Sequence, residues 1–213
     1  MKAEEVGFHG ELSHNQLDAL KEIGNIGAGH AASSLSALLS RKINMRVPSV
    51  QVLEFNEVMT LAGGAETEAV GIGIRIEGDV TGSMFFILHP EPAHIFVAQL
   101  LGSNYQRCSS ELRESALQEL GNIITGSYLS SLADFTNLNL IPSVPIVVKD
   151  MVGAIVSAGL IERSKYKDNA IVIETLLEAR GRLNEQINGH FFLFPDPDFH
   201  EKLFPSLGGY HDK

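Results

Sequence analysis

An α+β fold built from two copies of one unit is what this 213-residue sequence predicts, and three observations carry that expectation. A motif recurs at long range: residues 18–25 read DALKEIGN and residues 115–122 read SALQELGN, a spacing of 97. Each motif sits inside a long stretch of helical periodicity. Each helical stretch is followed by short β-rich runs, and many links between those runs are too short for parallel crossovers, so antiparallel pairing is expected.

The elements follow in order. Ser13 or Asn15 caps the first helix, which runs to about residue 40. Strands are expected over 47–58, 69–77 and 80–88, then a helix over 92–101. GSNYQR at 102–107 breaks both patterns and marks the junction between copies. Ser109 or Ser110 caps the second long helix, which runs to about residue 135 with Glu111 or Arg113 in its first turn. Strands over 144–149, 170–177 and 190–194 and a helix over 198–207 complete the second copy. Residues 153–161 read as a short helix whose counterpart in the first copy is a loop around 62–65.

Three further likenesses support duplication: MRVPSV at 45–50 with LIPSV at 140–144, AVGIGIRIE at 69–77 with AIVIETLLE at 170–178, and GSMFF at 82–86 with GHFFL at 189–193. Their spacings of 94, 101 and 107 put the length changes into loops, which tolerate them. The expectation is one domain over 1–213, made of repeats at about 11–104 and 105–207.

Composition narrows the function. The 26 acidic and 16 basic residues give a formal charge of -10, and no basic run exceeds Arg41-Lys42. A nucleic-acid groove, which needs clustered positive charge, is therefore not expected. No stretch reaches the apolar length of a membrane span, and MKAEEVGFHG at 1–10 has acidic residues where a secretory signal needs an apolar run. A soluble cytoplasmic protein is the expectation. Cys108 is the only cysteine, so neither an intrachain disulfide nor a Cys-rich zinc site can form.

The helical motifs carry the chemistry. With about 100° per residue and Asp18 at zero, Glu22 falls near 40° and Asn25 near -20°, one polar stripe roughly 10 Å long. Leu20, Ile23, Gly27, Ala31 and Leu38 lie opposite and are the expected buried face. Ser115, Glu119 and Asn122 repeat the stripe, with Leu117, Leu120, Ile124 and Tyr128 opposite. A single Glu or Asn on a helix is ordinary solvated surface, yet Glu-(Leu or Ile)-Gly-Asn-Ile persists in both helices while the strands diverge. Gly24 and Gly121, each costing a helix interior roughly 1 kcal/mol, suggest close approach of another backbone or molecule. A carboxylate accepts from a lysine, and a carboxamide both donates to a phosphoryl oxygen and accepts from water. Nothing marks a nucleophile, a base with its orienting partner, or a metal shell, so an enzyme of this kind would complete another protein's active site.

Other features have plainer readings. Residues 24–29, GNIGAG, follow no strand and lack the lysine of a phosphate loop. His30 is expected at the border of the apolar face, partly buried. His89, His94, His190, His200 and His211 have no zinc-site spacing, Cys108 reads as a linker thiol, and the Phe-rich strands read as core.

The two segments DALKEIGNIGAGHAASSLSALL and SALQELGNIITGSYLSSLADF resemble the CheC/CheX/FliY family of chemotaxis phosphatases, whose hallmark is Asp or Ser, then Glu four residues on and Asn three beyond. The likeness spans nearly the whole chain. It implies a pseudo-two-fold arrangement of duplicated α-β-X-β-β units with a shared antiparallel sheet and two long site-bearing helices. It implies hydrolysis of the aspartyl phosphate of the response regulator CheY, with Asn25 and Asn122 orienting water and Glu22 and Glu119 engaging the regulator's lysine. Asp18 and Ser115 would support docking. The regulator would supply Mg²⁺, with no cofactor or metal bound by this chain, and the deamidase CheD would be a second partner. The alternative is a non-enzymatic adaptor that binds a receiver domain or CheD through the same acidic helices.

Overall fold

Helix α1, His14–Leu39, begins where Ser13 closes a capping box: its Oγ accepts from the Gln16 N–H at 3.3 Å, and Gln16 Oε1 accepts from the Ser13 N–H at 2.9 Å. It ends at Ser40, whose φ of 50° is the left-handed stop. After it come β1 (Ile43–Arg46), β2 (Val50–Glu54), α2 (Phe55–Leu61), β3 (Glu68–Gly78), β4 (Gly82–Leu88), α3 (Pro90–Leu101) and a 3-10 segment, Gly102–Arg107. Helix α4, Ser110–Thr136, starts on Ser109, which accepts from the Leu112 N–H at 3.4 Å, and stops at Asn137 with φ 56°. Then follow β5 (Leu140–Pro142), β6 (Ile146–Met151), α5 (Val152–Ile161), β7 (Asn169–Ala179), β8 (Glu185–Pro195) and α6 (Pro197–Leu207). The computed structural model describes residues 12–161, 169–179 and 185–207, so the segment read for a leader and His211 lie outside the described residues.

The order α-β-β-α-β-β-α thus occurs twice, and the described strands form one antiparallel sheet ordered β1-β7-β8-β4-β3-β5. Strand β2 continues along β7 beyond β1, and β6 along β3 beyond β5. Each half lends its first two strands to the other half's long strand, so neither half has a complete sheet alone. Alternation splits the core. Val70, Ile72, Met84, Phe86, Ile171, Ile173, Phe191 and Leu193 face α1, α3, α4 and α6, whereas Ala69, Ile87, Val172, Phe192 and Phe194 face α2 and α5. The Phe-rich strands are core, as expected.

Several expectations change. The strand expected over 47–58 is β2 followed by a helix, because Glu54 and Glu57 form a capping box and Phe55 and Val58 are buried at helical spacing. The counterpart of α5 is therefore helix α2, not a loop at 62–65. The paired registers also replace two of the local sequence matches. Val50 pairs with Ile173 and Val147 with Ile72, while Ile43 pairs with Ala179 and Leu140 with Gly78. The spacing of 97 therefore persists from the helices through both following strands. Pro48 corresponds to Pro145, not to Pro142.

In the hairpins Phe86 opposes Ile72 and Phe191 opposes Ile173, so the last strands correspond at 105, not 107. Short identities such as PSV are weaker guides than a ladder in which a slip moves side chains to the wrong face. At a spacing of 105 Phe86 corresponds to Phe191, and these two residues pair directly across β4 and β8. Their rings stack at 4.4 Å, and Gly189 makes the room, since a Cβ there would lie 2.2 Å from Phe86 Cε2.

His190 is the counterpart of Phe85 in this register. Its Nδ1 is buried and without a hydrogen-bond partner, and burial holds its pKa below the ordinary value, opposed by nearby Glu174 and reinforced by His89. Because the unfolded chain binds this proton more readily, stability should be complete above the ordinary histidine pKa of about 6.5 and fall as pH drops below it. Urea titrations at pH 7.5 and 5.5 should show a smaller loss on acidification for His190→Phe than for the wild type. An equal loss would assign the acid sensitivity to other groups.

Candidate functional site

The faces of the two long helices are set by what lies beneath them. In α1, Ala19, Leu20, Ile23, Gly24, Gly27, Ala28, Ala31 and Leu35 are buried; in α4, Ala116, Leu117, Leu120, Gly121, Ile124 and Tyr128 are. Leu38, expected on the buried face, is 38% exposed at the end of its helix, and His30, expected half-buried, is exposed. Asp18, Glu22, Ser115, Glu119 and Asn122 are exposed, and Asn25 is half-buried. Each helix therefore carries its polar stripe away from the core, as its periodicity predicts.

Gly121 has an internal explanation, whereas Gly24 has only ordinary contacts around it. A Cβ at Gly121 would lie 2.5 Å from Ile72 Cγ2 and 3.4 Å from Pro145 Cβ, so this glycine lets α4 settle onto the sheet and the loop before β6. A Cβ at Gly24 would meet Val47 Cγ2 at 3.4 Å and Tyr128 Cε1 at 3.7 Å. Both glycines lie on the buried side of their helices, so their close neighbours are the protein's own, not an outside molecule.

The hydrogen bonds around the stripes differ. Asp18 Oδ2 lies 3.4 Å from His14 Nε2, and Ser115 Oγ donates to the Glu111 carbonyl at 2.9 Å; both are exposed contacts within one helix. Asn25 is held on three bonds: Nδ2 donates to the Lys21 carbonyl at 3.0 Å and the Val47 carbonyl at 3.2 Å, and Oδ1 accepts from the Val47 N–H at 2.9 Å. Both amide donors and one lone pair are thereby used. Val47 is only 2% exposed, so swinging Asn25 away would leave a buried peptide group unpaired, at about 1–3 kcal/mol per orphaned group. The Asn122 side chain, by contrast, makes no hydrogen bond to the described residues.

The expected outward projection therefore describes Asn122 and not Asn25, which is turned onto the backbone of the loop between β1 and β2. Val47 was not among the residues singled out from sequence. The signal lay in extending the helix spacing of 97 onward, which aligns Val47-Pro48 with Val144-Pro145. Among the described residues no cluster of three or more His, Cys, Asp or Glu could hold a metal ion, and no helix is long and apolar enough to cross a membrane.

An α+β sheet shared between two halves, with a Glu-x-x-Asn stripe on each long helix, defines the class: the chain belongs to the CheC-like family, whose sequence model matches residues 16–52 and 112–148. The CheY-P phosphatase CheC of Bacillus subtilis strain 168 is 45% identical over 205 residues, covering 94% of this chain and 97% of that protein. The flagellar motor switch phosphatase FliY of the same organism is 29% identical over 126 residues, 58% of this chain and 32% of that protein. Among solved structures, Thermotoga maritima FliY superposes with a TM-score of 0.72 at 21% identity, covering 92% of this chain and 98% of that one. A CheX protein from Desulfovibrio desulfuricans gives 0.53 at 16% identity, covering 81% and 99%. These two structural likenesses concern the fold alone.

Proposed function

We propose that this chain is a phosphatase that hydrolyses the aspartyl phosphate of a CheY-type response regulator. The observation that carries this reading is the exposed Glu119 and Asn122 pair, one helical turn apart on α4 with the Asn122 carboxamide unengaged by any described residue, in a chain 45% identical to a CheY-P phosphatase. An acyl phosphate is already activated. Water attacks phosphorus, the bond between phosphorus and the aspartyl oxygen breaks, and inorganic phosphate leaves the regulator's carboxylate behind.

In this reading Asn122 Oδ1 accepts a hydrogen from the attacking water while Nδ2 donates to a phosphoryl oxygen, holding the water in line. Glu119 pairs with the regulator's lysine and sets the helix beside the phosphate. Glu22 and Asn25 are the matching pair on α1, and Asp18 and Ser115 support docking from the turn before. No covalent intermediate on this chain is required, since positioning and charge stabilisation supply the rate gain in phosphoryl transfer. The divalent cation belongs to the regulator. The reading places the chain in the cytoplasm with its substrate and keeps a CheD-type deamidase as a second partner.

The deciding measurement is the decay of phosphorylated regulator with this chain present at about one-hundredth of its concentration. Many phosphates released per molecule are expected. An effect that stops at one equivalent would instead identify an adaptor that binds a receiver domain or CheD.

A further inference from the structure

The inference drawn here rests on the phosphatase reading and concerns how the two stripes divide the work. We propose that the α4 stripe is the standing catalytic site, and that the α1 stripe is held shut by a latch between the Asn25 carboxamide and the backbone of Val47. The two stripes have the same residues at the Glu and Asn positions and the same helical spacing, so their difference arises in the loops packed against them.

Those loops have equal length. Arg46 pairs with Leu176 and Val50 with Ile173, while Ser143 N–H donates to the Arg75 carbonyl and Val147 pairs with Ile72. Yet the loops seat different residues. In the first, Val47 is 2% exposed and lies against Gly24; in the second, Val144 is 79% exposed and Pro145 lies against Gly121. The second loop has slipped by one residue relative to its helix.

That slip removes the latch chemically. Val47 offers Asn25 an N–H and a carbonyl on one residue, and the carboxamide closes on both. Proline has no N–H to offer, and the Pro145 carbonyl already accepts from Gln118 Nε2 at 3.4 Å. Asn122 consequently keeps both donors and its acceptor for water and phosphate. Asn25 can join the chemistry only after the Val47 peptide is displaced, for instance by a docking regulator.

Single substitutions test the division. Asn122→Ala is expected to lower the turnover of phosphorylated regulator at least about five times more than Asn25→Ala does, a preorganised amide being worth about 100-fold or more. Asn25→Ala should also lower the melting temperature and speed hydrogen exchange at the Val47 amide, neither of which Asn122→Ala should change. If Asn25→Ala does not fold, Glu22→Lys against Glu119→Lys makes the same comparison on exposed side chains without hydrogen bonds to the described residues. Equal losses at the two stripes, or an unprotected Val47 amide in the wild type, would overturn the latch and leave the phosphatase reading standing. Phosphate release by the wild-type chain that stops at one equivalent would overturn the phosphatase reading itself, whereas turnover that survives all of these changes would overturn the division of work between the stripes.

Discussion

A protein carrying Asn25→Ala and Asn122→Ala together is expected to keep its fold and to lose about 100-fold or more of its stimulated phosphate release, the scale seen when a preorganised amide is removed from a reacting centre. The fold should survive for separate reasons at the two positions. Asn122 is exposed and its side chain hydrogen-bonds to no described residue, so its truncation removes no internal hydrogen bond. Asn25 does contribute, through Val47 and Lys21, and its loss should cost about 1–3 kcal/mol while leaving the surrounding hydrophobic core in place. Circular dichroism establishes the fold and single-turnover decay of the phosphorylated regulator measures the chemistry. Decay as fast as with the wild-type protein would remove both asparagines from the mechanism and leave the acidic stripes as binding surfaces only.

The second large effect is on stability. Phe191→Ala should destabilise the protein by about 3–5 kcal/mol, which for a chain of this size lowers the melting temperature by roughly 10 °C. The residue is fully buried, stacks on Phe86 at 4.4 Å and meets the Tyr128 ring at 5.0 Å. It thus ties β8 to β4 and ties the sheet to α4 at one point. Tyr128 is itself fixed there: its hydroxyl lies 3.1 Å from Thr175 Oγ1, and burial pushes its pKa up to about 12. Neighbours held on both sides cannot collapse into the space, so the upper part of the range is expected. A shift below about 3 °C in a thermal melt would show that this pair does not join the halves.

Much of this molecule was legible in its sequence because the relevant signals are periodic and local. Ser13 and Ser109 announce their helices through side chains that satisfy the first free amides, and a period of 3.6 residues separates Glu22 and Glu119 from the buried leucines. The alternation of Met84, Phe85, Phe86 and Ile87 marks a strand covered on both faces. Helix α2 was less legible because Val47, Val50, Val52 and Phe55 form a β-rich run, and only the capping box at Glu54 and Glu57 turns the chain into a helix. Strand β5 escaped notice because three residues are too few for a pattern.

What the sequence determined by itself is therefore the two long helices, the long strands and the outward direction of Glu22, Glu119 and Asn122, since each follows from spacing along a single helix or strand. Tertiary structure alone decided that the halves exchange strands, that Pro48 answers Pro145, and that Asn25 closes on Val47 while Asn122 stays open. The physical reason is that a carboxamide's state depends on which backbone group another segment brings within 3 Å, and a one-residue difference in how a loop seats leaves no mark on the helix that feels it.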